Sequence, residues 1–177
     1  AETFETLDQK DHCRAIVLAA RGKAFCAGAD FSSSGGDLFK PESDNSAITL
    51  YRAAARLFHC RKPVVGAIQG AAIGGGLGLS LVPDFRIVCP ETRFAANFVQ
   101  LGIHPGFGIS LALPRLIGQQ KAQLMLLTGR RIKGEEALEY GLGDKLVPSD
   151  RVRDEAIALA TEIARCAPLA VESTRAT

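Results

Sequence analysis

Two glycine-centred segments decide the fold of this chain: Phe25-Cys26-Ala27-Gly28-Ala29-Asp30 and Gly70-Ala71-Ala72-Ile73-Gly74-Gly75-Gly76. Each follows an apolar run, 14–20 or 64–68, that predicts a buried strand. Where a strand passes into a loop or a helix, main-chain N–H groups remain without a partner. Either segment alone also fits a plain tight turn. Together they predict an oxyanion hole, because two converging donors hold a carbonyl oxygen as it becomes negative.

The rest of the chain alternates short apolar runs with helical patterns, which is typical of an α/β fold with largely parallel strands. A helix end is expected at 1–9, and the polar residues 30–45 predict a mobile loop. Pro148-Ser149-Asp150 provides the start signals of a long last helix, 150–166. Further strands are expected at 85–89, 93–97 and 144–147, and further helices at 45–60 (with Ile48, Tyr51, Ala55 and Phe58 on one face), 76–82, 107–116, 119–128 and 134–140.

Composition narrows the possible classes of protein. The 177 residues are 47% apolar and 23% charged, which predicts one folded domain. The net charge of +2 comes from scattered basic residues, so we expect no nucleic-acid partner. Five cysteines without a paired spacing predict free thiols in a reducing, cytoplasmic setting and no metal site. The uncharged run 64–82 contains six glycines, and we interpret it as strand, loop and helix rather than as a membrane span.

Three familiar glycine motifs are excluded. From Gly74 and Gly76, the third glycine of a dinucleotide fingerprint would fall on Leu79. No Gly-Lys-Ser/Thr end of a phosphate-binding loop is present. A nucleophile elbow around Ser80 fails at its last position, Val82. The glycines are therefore better explained by main-chain donors than by these motifs.

Several motifs resemble those of the crotonase (enoyl-CoA hydratase/isomerase) superfamily. Residues 14–31, which end in A-F-C-A-G-A-D-F, resemble its first signature, and Lys62-Pro63-Val64 through Gly74-Gly75-Gly76 resembles its second. The later motifs are similar to Leu101-Gly102-Ile103-His104-Pro105-Gly106, Leu113-Pro114-Arg115-Leu116-Ile117-Gly118 and Leu127-Thr128-Gly129-Arg130. The resemblance covers nearly the whole chain.

The resemblance implies an α/β crotonase-like spiral of ββα units followed by C-terminal helices. Residues 1–148 would form the spiral core and 149–177 the start of the helical region of one functional domain, apparently trimmed at both ends. The ligand would be an acyl-CoA thioester, with coenzyme A as part of the substrate and no separate cofactor. The N–H groups of Ala29 and Gly75 would hold the thioester oxygen. The residues expected around the ligand are Ala27, Ala29, Asp30, Phe31, Gly74, Gly75, Gly76, Phe98, Leu101 and Gly106.

The carboxylates that relatives use are missing. Hydratases of this superfamily carry two glutamates, and the corresponding positions here hold Gly78 and Phe98. Isomerases and a dehalogenase carry a carboxylate in the later turn, where this chain has Gly106. Hydration of an enoyl thioester needs groups that move protons. The candidates that remain are His104, Gln100 and Asp30, with His104 the first choice as a catalytic residue.

Two classes of function follow. The first is an acyl-CoA-processing enzyme that resembles enoyl-CoA hydratase and stabilises a thioester enolate. The same enolate would serve an isomerase, a thioester hydrolase or a decarboxylase. The second is an acyl-CoA-binding homologue with little or no catalysis. The family also implies fatty acid metabolism and a homotrimer or hexamer, with no nucleic-acid or membrane partner.

Overall fold

The computed structural model describes residues 1–28 and 44–176, with side chains described for 1–28 and 51–176. Short strands alternate with helices along the whole chain. The elements, in order, are α1 Glu2–Asp8, β1 Ile16–Ala19, α2 Asp44–Leu57, β2 Val64–Ile68, β3 Ala71–Ile73, α3 Gly75–Ser80, β4 Phe85–Val88, β5 Arg93–Ala95, a 3-10 turn Val99–Leu101, α4 Ile109–Ile117, α5 Gln119–Thr128, β6 Arg131–Lys133, α6 Gly134–Tyr140, β7 Lys145–Leu146, α7 Val152–Ala164 and α8 Pro168–Ala176.

Two sheets form the framework. The first has the strand order β1-β2-β4-β7, and every neighbouring pair in it is parallel. The second has the order β3-β5-β6, in which β3 and β5 are parallel and β5 and β6 antiparallel. The pairs β2–β3 and β4–β5 each place one strand in each sheet, and helix α3 follows the first pair. This arrangement is the predicted spiral of ββα units, and the largely parallel pairing is confirmed.

The centre of the fold is apolar on both sides of β2. All five residues of β2 are buried, as expected for an uncharged strand inside a parallel sheet. One core cluster joins β2 to helices α3, α4 and α5, with Phe94 and Leu113 fully buried in it. A second cluster lies under α7, where Val152 and Ala156 pack against β2 and β4. None of the helices that the structure describes combines the length and apolar character needed to cross a lipid bilayer.

Two glycines bring the two predicted segments together. Cys26 forms a parallel bridge with Ala72, and its N–H donates to the carbonyl of Ala71 at 2.8 Å. A Cβ at Gly76 would lie 2.8 Å from the carbonyl carbon of Cys26, so only glycine permits this approach. Gly28 has a φ of +90°, and a Cβ there would lie 2.8 Å from the carbonyl oxygen of Ile73. Residues 26–28 of the first glycine segment therefore lie next to residues 72–76 of the second.

Some elements differ from the sequence prediction. β3 lies inside the segment expected to be a glycine turn, and β6 and α8 were not expected. Helix α7 begins at Val152, after Arg151, and has no side-chain cap, so the predicted start signals Pro148-Ser149-Asp150 do not cap it. The loop predicted at 30–45 falls largely on 29–43, outside the described residues.

Candidate functional site

The start of α3 presents a free main-chain donor. Gly74 precedes the helix with φ 57° and ψ −118°, a conformation that essentially only glycine adopts. As the first residue of α3, Gly75 has an N–H without an acceptor in the described part of the chain. A Cβ built on Gly75 meets no atom within 4 Å, so space is open in front of this residue. Gly75 therefore has open space on its Cβ side and an N–H without an acceptor among the described residues.

A cavity of about 460 Å³ lies beside Gly75, and we call it the Gly75 cavity. Its wall contains main chain from both glycine segments, because Gly28 and Gly75 both line it. Arg93 and Arg131 also line it, and neither has an ion-pair partner among the described residues. The remaining lining residues are Ala27, Ala71, Ile73, Gly74, Asn97, Phe98, Leu101 and Ile103.

A second cavity of about 680 Å³ lies between α2 and α4, and we call it the α2–α4 cavity. Its lining is mainly apolar, and it includes the end of α3 and the segment that follows. Helix α2 and the two residues after it contribute Tyr51, Ala54, Ala55, Phe58 and His59. Helix α4 and the loop before it contribute Gly106, Phe107, Gly108, Leu111, Ala112, Arg115 and Leu116. The other lining residues are Leu81, Val82, Pro83, Asp84, Arg86 and Arg175.

The structure gathers part of the predicted site around the Gly75 cavity. Ala27, Gly74, Gly75, Phe98 and Leu101 all line that cavity. Gly76 is buried behind them against Cys26, so it has a packing role. Gly106 lines the α2–α4 cavity instead. Ala29, Asp30 and Phe31 lie outside the described residues, and the roles expected for them stay predictions.

The predicted proton-moving residues are placed elsewhere. His104 is exposed and contributes to neither cavity. Gln100 is also exposed, and its amide donates to the carbonyl of Thr128 at 2.9 Å. A Cβ at Gly129 would lie 2.8 Å from that amide, so the Gln100 side chain is held by packing. The described geometry therefore gives His104 and Gln100 no contact with either cavity.

Phe107 occupies the space next to Gly78. A Cβ at Gly78 would lie 2.6 Å from the Cβ, Cγ and Cδ1 atoms of Phe107. Phe107 is in the left-handed region with a φ of 58°, which is rare for a bulky residue. A glutamate at position 78 would therefore need Phe107 to move. The lack of a carboxylate at Gly78 is coupled to this aromatic side chain.

Tyr51 stands in a similar relation to Gly106. A Cβ at Gly106 would lie 2.7 Å from the Cζ atom of Tyr51 and still closer to its hydroxyl oxygen. Gly106 is not in the left-handed region, so a side chain there would meet this contact but would cause no backbone strain. The sequence predicts for Tyr51 only a position on the apolar face of the helix expected at 45–60. No sequence signal links Tyr51 to Gly106, because they meet only in the folded chain.

Most charged groups of the α2–α4 cavity already have partners. The carboxylate of Asp84 accepts from the main-chain N–H of Val64 at 2.8 Å and from Arg175 Nε at 2.8 and 2.9 Å. Burial lowers the pKa of Arg86, although Asp144 and Asp84 oppose the shift. Arg86 donates to the carbonyls of Leu142, Pro83 and Asp84 and to Asp144. These hydrogen bonds and ion pairs stabilise the fold, because they connect β4, β2 and α8.

No metal-binding set is found among the side chains that the structure describes. All five cysteines are free thiols: Cys13, Cys26, Cys60, Cys89 and Cys166. Cys60 is held in the thiol form, because burial raises its pKa to about 11. Its sulfur donates to a carboxylate oxygen of Asp8 and to the carbonyl of Lys62.

Comparison with known proteins finds one family and many relatives. The family model described as enoyl-CoA hydratase/isomerase matches residues 1–177. A putative enoyl-CoA hydratase of Thermus thermophilus is 35% identical over 98% of this chain and 69% of its own length. The human mitochondrial Delta(3,5)-Delta(2,4)-dienoyl-CoA isomerase is 33% identical over 98% of this chain and 57% of its own. An (E)-benzylidenesuccinyl-CoA hydratase of Thauera aromatica is 37% identical over 91% of this chain and 62% of its own.

Solved structures agree with the sequence relatives. The crystal structure of an enoyl-CoA hydratase from Bacillus anthracis has a TM-score of 0.89 and 36% identity, covering 97% of this chain and 66% of that one. The Pseudomonas aeruginosa DspI structure has a TM-score of 0.90 and 33% identity, covering 98% and 66%. The chain spans between just over half and about two thirds of the length of these relatives.

Proposed function

The chain belongs to the enoyl-CoA hydratase/isomerase family, and we propose that it binds an acyl-CoA and stabilises the enolate of its thioester at the N–H groups of Ala29 and Gly75. Coenzyme A is part of this substrate, and no separate cofactor is invoked. The proposal extends to the whole protein the acyl-CoA chemistry that the names of its relatives state. It also includes a cytoplasmic setting and a role in fatty acid metabolism.

The observation that supports the proposal is that Gly75 lines the Gly75 cavity and that its N–H has no acceptor among the described residues. The contacts of Gly76 with Cys26 and of Gly28 with Ile73 hold the first glycine segment beside this donor. A thioester oxygen bound there would receive a hydrogen bond that strengthens as negative charge develops on it. Such a donor is worth about 3 kcal/mol in the transition state of acyl-transfer enzymes.

The reaction that follows enolate formation is limited by the side chains nearby. Hydration by the two-glutamate route lacks both of its carboxylates, because the corresponding positions hold Gly78 and Phe98. Phe107 also fills the space next to Gly78. Phe98 instead adds an apolar wall to the Gly75 cavity. We therefore propose enolate chemistry in which addition of water is slow. Isomerisation and decarboxylation share that enolate, whereas thioester hydrolysis would use the same two donors for its tetrahedral oxyanion.

A second candidate function is acyl-CoA binding without turnover. The observation that favours it is the absence of a carboxylate at Gly78, Phe98 and Gly106 together with an accessible Gly75 donor. Binding requires only the main-chain donors and the apolar cavities. Both candidates predict thioester binding, and only the first predicts a chemical change.

The test compares Gly75→Pro with Gly75→Ala. Proline is tolerated at the first position of a helix and removes the N–H, whereas alanine keeps it. Calorimetry with butyryl-CoA measures binding, and NMR in D₂O measures exchange of its α-protons. We expect exchange in the wild type, with Asp30, the remaining predicted candidate, as the base that takes the α-proton. Gly75→Pro should lose about 100-fold in exchange rate, and Gly75→Ala should show a smaller effect.

The outcomes separate the candidates. Binding without exchange or consumption of any thioester supports the second candidate. A wild-type protein that does not bind acyl-CoA overturns both. Equal exchange rates in the proline and alanine variants would show that the Gly75 N–H is not the donor.

We also propose, from the family alone, that the protein assembles as a homotrimer or hexamer. Light scattering coupled to size-exclusion chromatography tests this assembly. A monomer at micromolar concentration would contradict it.

A further inference from the structure

The α2–α4 cavity contains a hydroxyl group that the proposed reaction does not use. Tyr51 is 46% exposed and lines this cavity with its ring. Within the described residues its hydroxyl has no hydrogen-bond partner. By contrast, Asp84, Arg86 and Arg175 on the same wall bond to one another, to main-chain groups or to Asp144. A polar group without a partner in a mainly apolar cavity is typical of a ligand site.

The Tyr51 hydroxyl lies in the space that a side chain at position 106 would occupy. Alanine at Gly106 would collide with the ring and the hydroxyl of Tyr51. Because Gly106 is not left-handed, nothing in its own conformation demands glycine. The Tyr51 hydroxyl therefore lies against Gly106, and a side chain at position 106 would make the Tyr51 ring shift.

The α2–α4 cavity lies along the same helix as the proposed thioester donor. Gly75 begins α3, and Leu81, which follows its last residue, lines the α2–α4 cavity. The rise of an α-helix places these two residues about 9 Å apart along the axis. Between them, Gly78 contacts Phe107, and Phe107 also lines the α2–α4 cavity. An acyl group bound at Gly75 would have to pass Phe107 to reach this cavity with its distal part.

We propose that the α2–α4 cavity binds the distal part of an acyl group that carries an oxygen substituent, and that the hydroxyl of Tyr51 is its hydrogen-bond partner. This inference rests on the proposed function, because the thioester end is assumed to lie at Gly75. The substituent is a hydroxyl or a carboxylate. Arg115 also faces the cavity without an ion-pair partner in the described part of the chain, and it would favour the carboxylate.

The test measures the binding of three CoA thioesters of equal chain length: hexanoyl-CoA, 6-hydroxyhexanoyl-CoA and adipoyl-CoA. We expect the wild type to bind at least one oxygenated thioester about five- to tenfold more tightly than hexanoyl-CoA, the effect of one net hydrogen bond. Tyr51→Phe should abolish this preference and leave the affinity for hexanoyl-CoA unchanged. Arg115→Gln should reduce the preference for adipoyl-CoA alone.

Two further variants test whether the preference depends on Tyr51 in particular. Tyr140→Phe is the matched control, because Tyr140 is the other tyrosine and lines neither cavity. Its variant should keep the wild-type preference. Gly106→Ala should weaken the preference while the Tyr51 hydroxyl remains, because the added methyl displaces the ring.

Each contrary result would overturn a different part of the proposal. Equal affinities of the wild type for all three thioesters overturn this inference and leave the proposed function standing. A preference that survives in Tyr51→Phe overturns the assignment of Tyr51. A wild-type protein that binds none of the three overturns the proposed function, and this inference with it.

Discussion

Two adjacent glycines of α3 differ in what surrounds them. The Cβ position of Gly75 is open, whereas that of Gly76 collides with the main chain of Cys26. Neither has a left-handed backbone, so the difference comes from contacts alone. Gly76 holds two segments together, and Gly75 leaves room for a ligand.

The same substitution should therefore affect stability very differently at the two glycines. Gly76→Ala should lower the free energy of unfolding by about 3 kcal/mol, because backbone must move to admit the methyl group. Gly75→Ala should change it by less than about 1 kcal/mol, because its site is open and alanine favours helix. Urea denaturation followed by circular dichroism measures both. Equal losses in the two variants would contradict the described contact with Cys26.

The cysteines should differ in reactivity. Burial raises the pKa of Cys60 to about 11, and Cys166 is exposed. Only the thiolate reacts with alkylating agents, and at pH 8.5 a thiol with that pKa is ionised to roughly one part in three hundred. Iodoacetamide treatment of the native protein followed by mass spectrometry should modify Cys166 well before Cys60. Similar rates at both sites would show that Cys60 is accessible.

Gly74 and Gly75, which the sequence indicated, line the Gly75 cavity, whereas the predicted proton-moving residues His104 and Gln100 line neither cavity. Gly75 was identified because a glycine run after a buried strand has a direct physical meaning. Tyr51 and Phe107 were not identified as partners of Gly106 and Gly78, since each contact joins segments that are distant in the chain. His104 was chosen for its chemistry, and only coordinates reveal that it is exposed.

At the scale of elements, prediction succeeded where a pattern was long. Helices α5 and α6 have the predicted bounds, 119–128 and 134–140. The strands β3 and β6 have three residues each, which is too short to show the alternation of apolar and polar residues that indicates a strand. Their pairing in the second sheet, and not their own sequence, makes them strands. The apolar face predicted for α2 is only partly packed, because Tyr51 and Phe58 line a cavity.

The carboxylate of Asp8, the last residue of α1, binds the main chain just before β2. Asp8 accepts from the main-chain N–H groups of Arg61 and Lys62 at 2.8 and 3.1 Å, and from Arg61 Nε at 3.0 Å. Burial acts to raise the pKa of Asp8, but these hydrogen bonds outweigh it and the pKa is lowered. Charged hydrogen bonds of this kind contribute more than neutral ones.

Asp8→Ala should therefore reduce the free energy of unfolding by about 2 kcal/mol at pH 7. Because the folded pKa lies below the reference value of 3.8, the stabilisation is fully present above that pH and is lost as the pH falls through the folded pKa. Urea midpoints of wild type and variant should converge in strongly acidic solution. Asp11→Ala is the control, since Asp11 is exposed and has no partner in the described part of the chain. A constant difference at all pH values would contradict this role of Asp8.

At the scale of the molecule, stability is concentrated around β2. This strand pairs with β1 and β4 and is covered on one side by α7. Helix α8 contains no buried residue and is joined to the rest by the Lys62–Glu172 and Asp84–Arg175 ion pairs. The sequence predicted the parallel α/β class, whereas the division into two sheets followed only from the family resemblance.

Hydrogen exchange should reflect this distribution. We expect the amides of Val64–Ile68 to exchange most slowly, because they open only on global unfolding. The amides of Pro168–Ala176 should exchange orders of magnitude faster, through local opening. Exchange monitored by mass spectrometry at peptide resolution is sufficient. Equal protection of the two regions would show that α8 is an integral part of the core.

The accessible amide of Gly75 has a consequence for how this protein tolerates mutation. Every residue except proline has a main-chain N–H, so almost any change of side chain at this point leaves the donor itself intact. Loss of ligand recognition then requires a change of helix position or an obstruction in front of it. Descendants of such a chain are free to exchange the acids and bases around the ligand while its point of attachment persists.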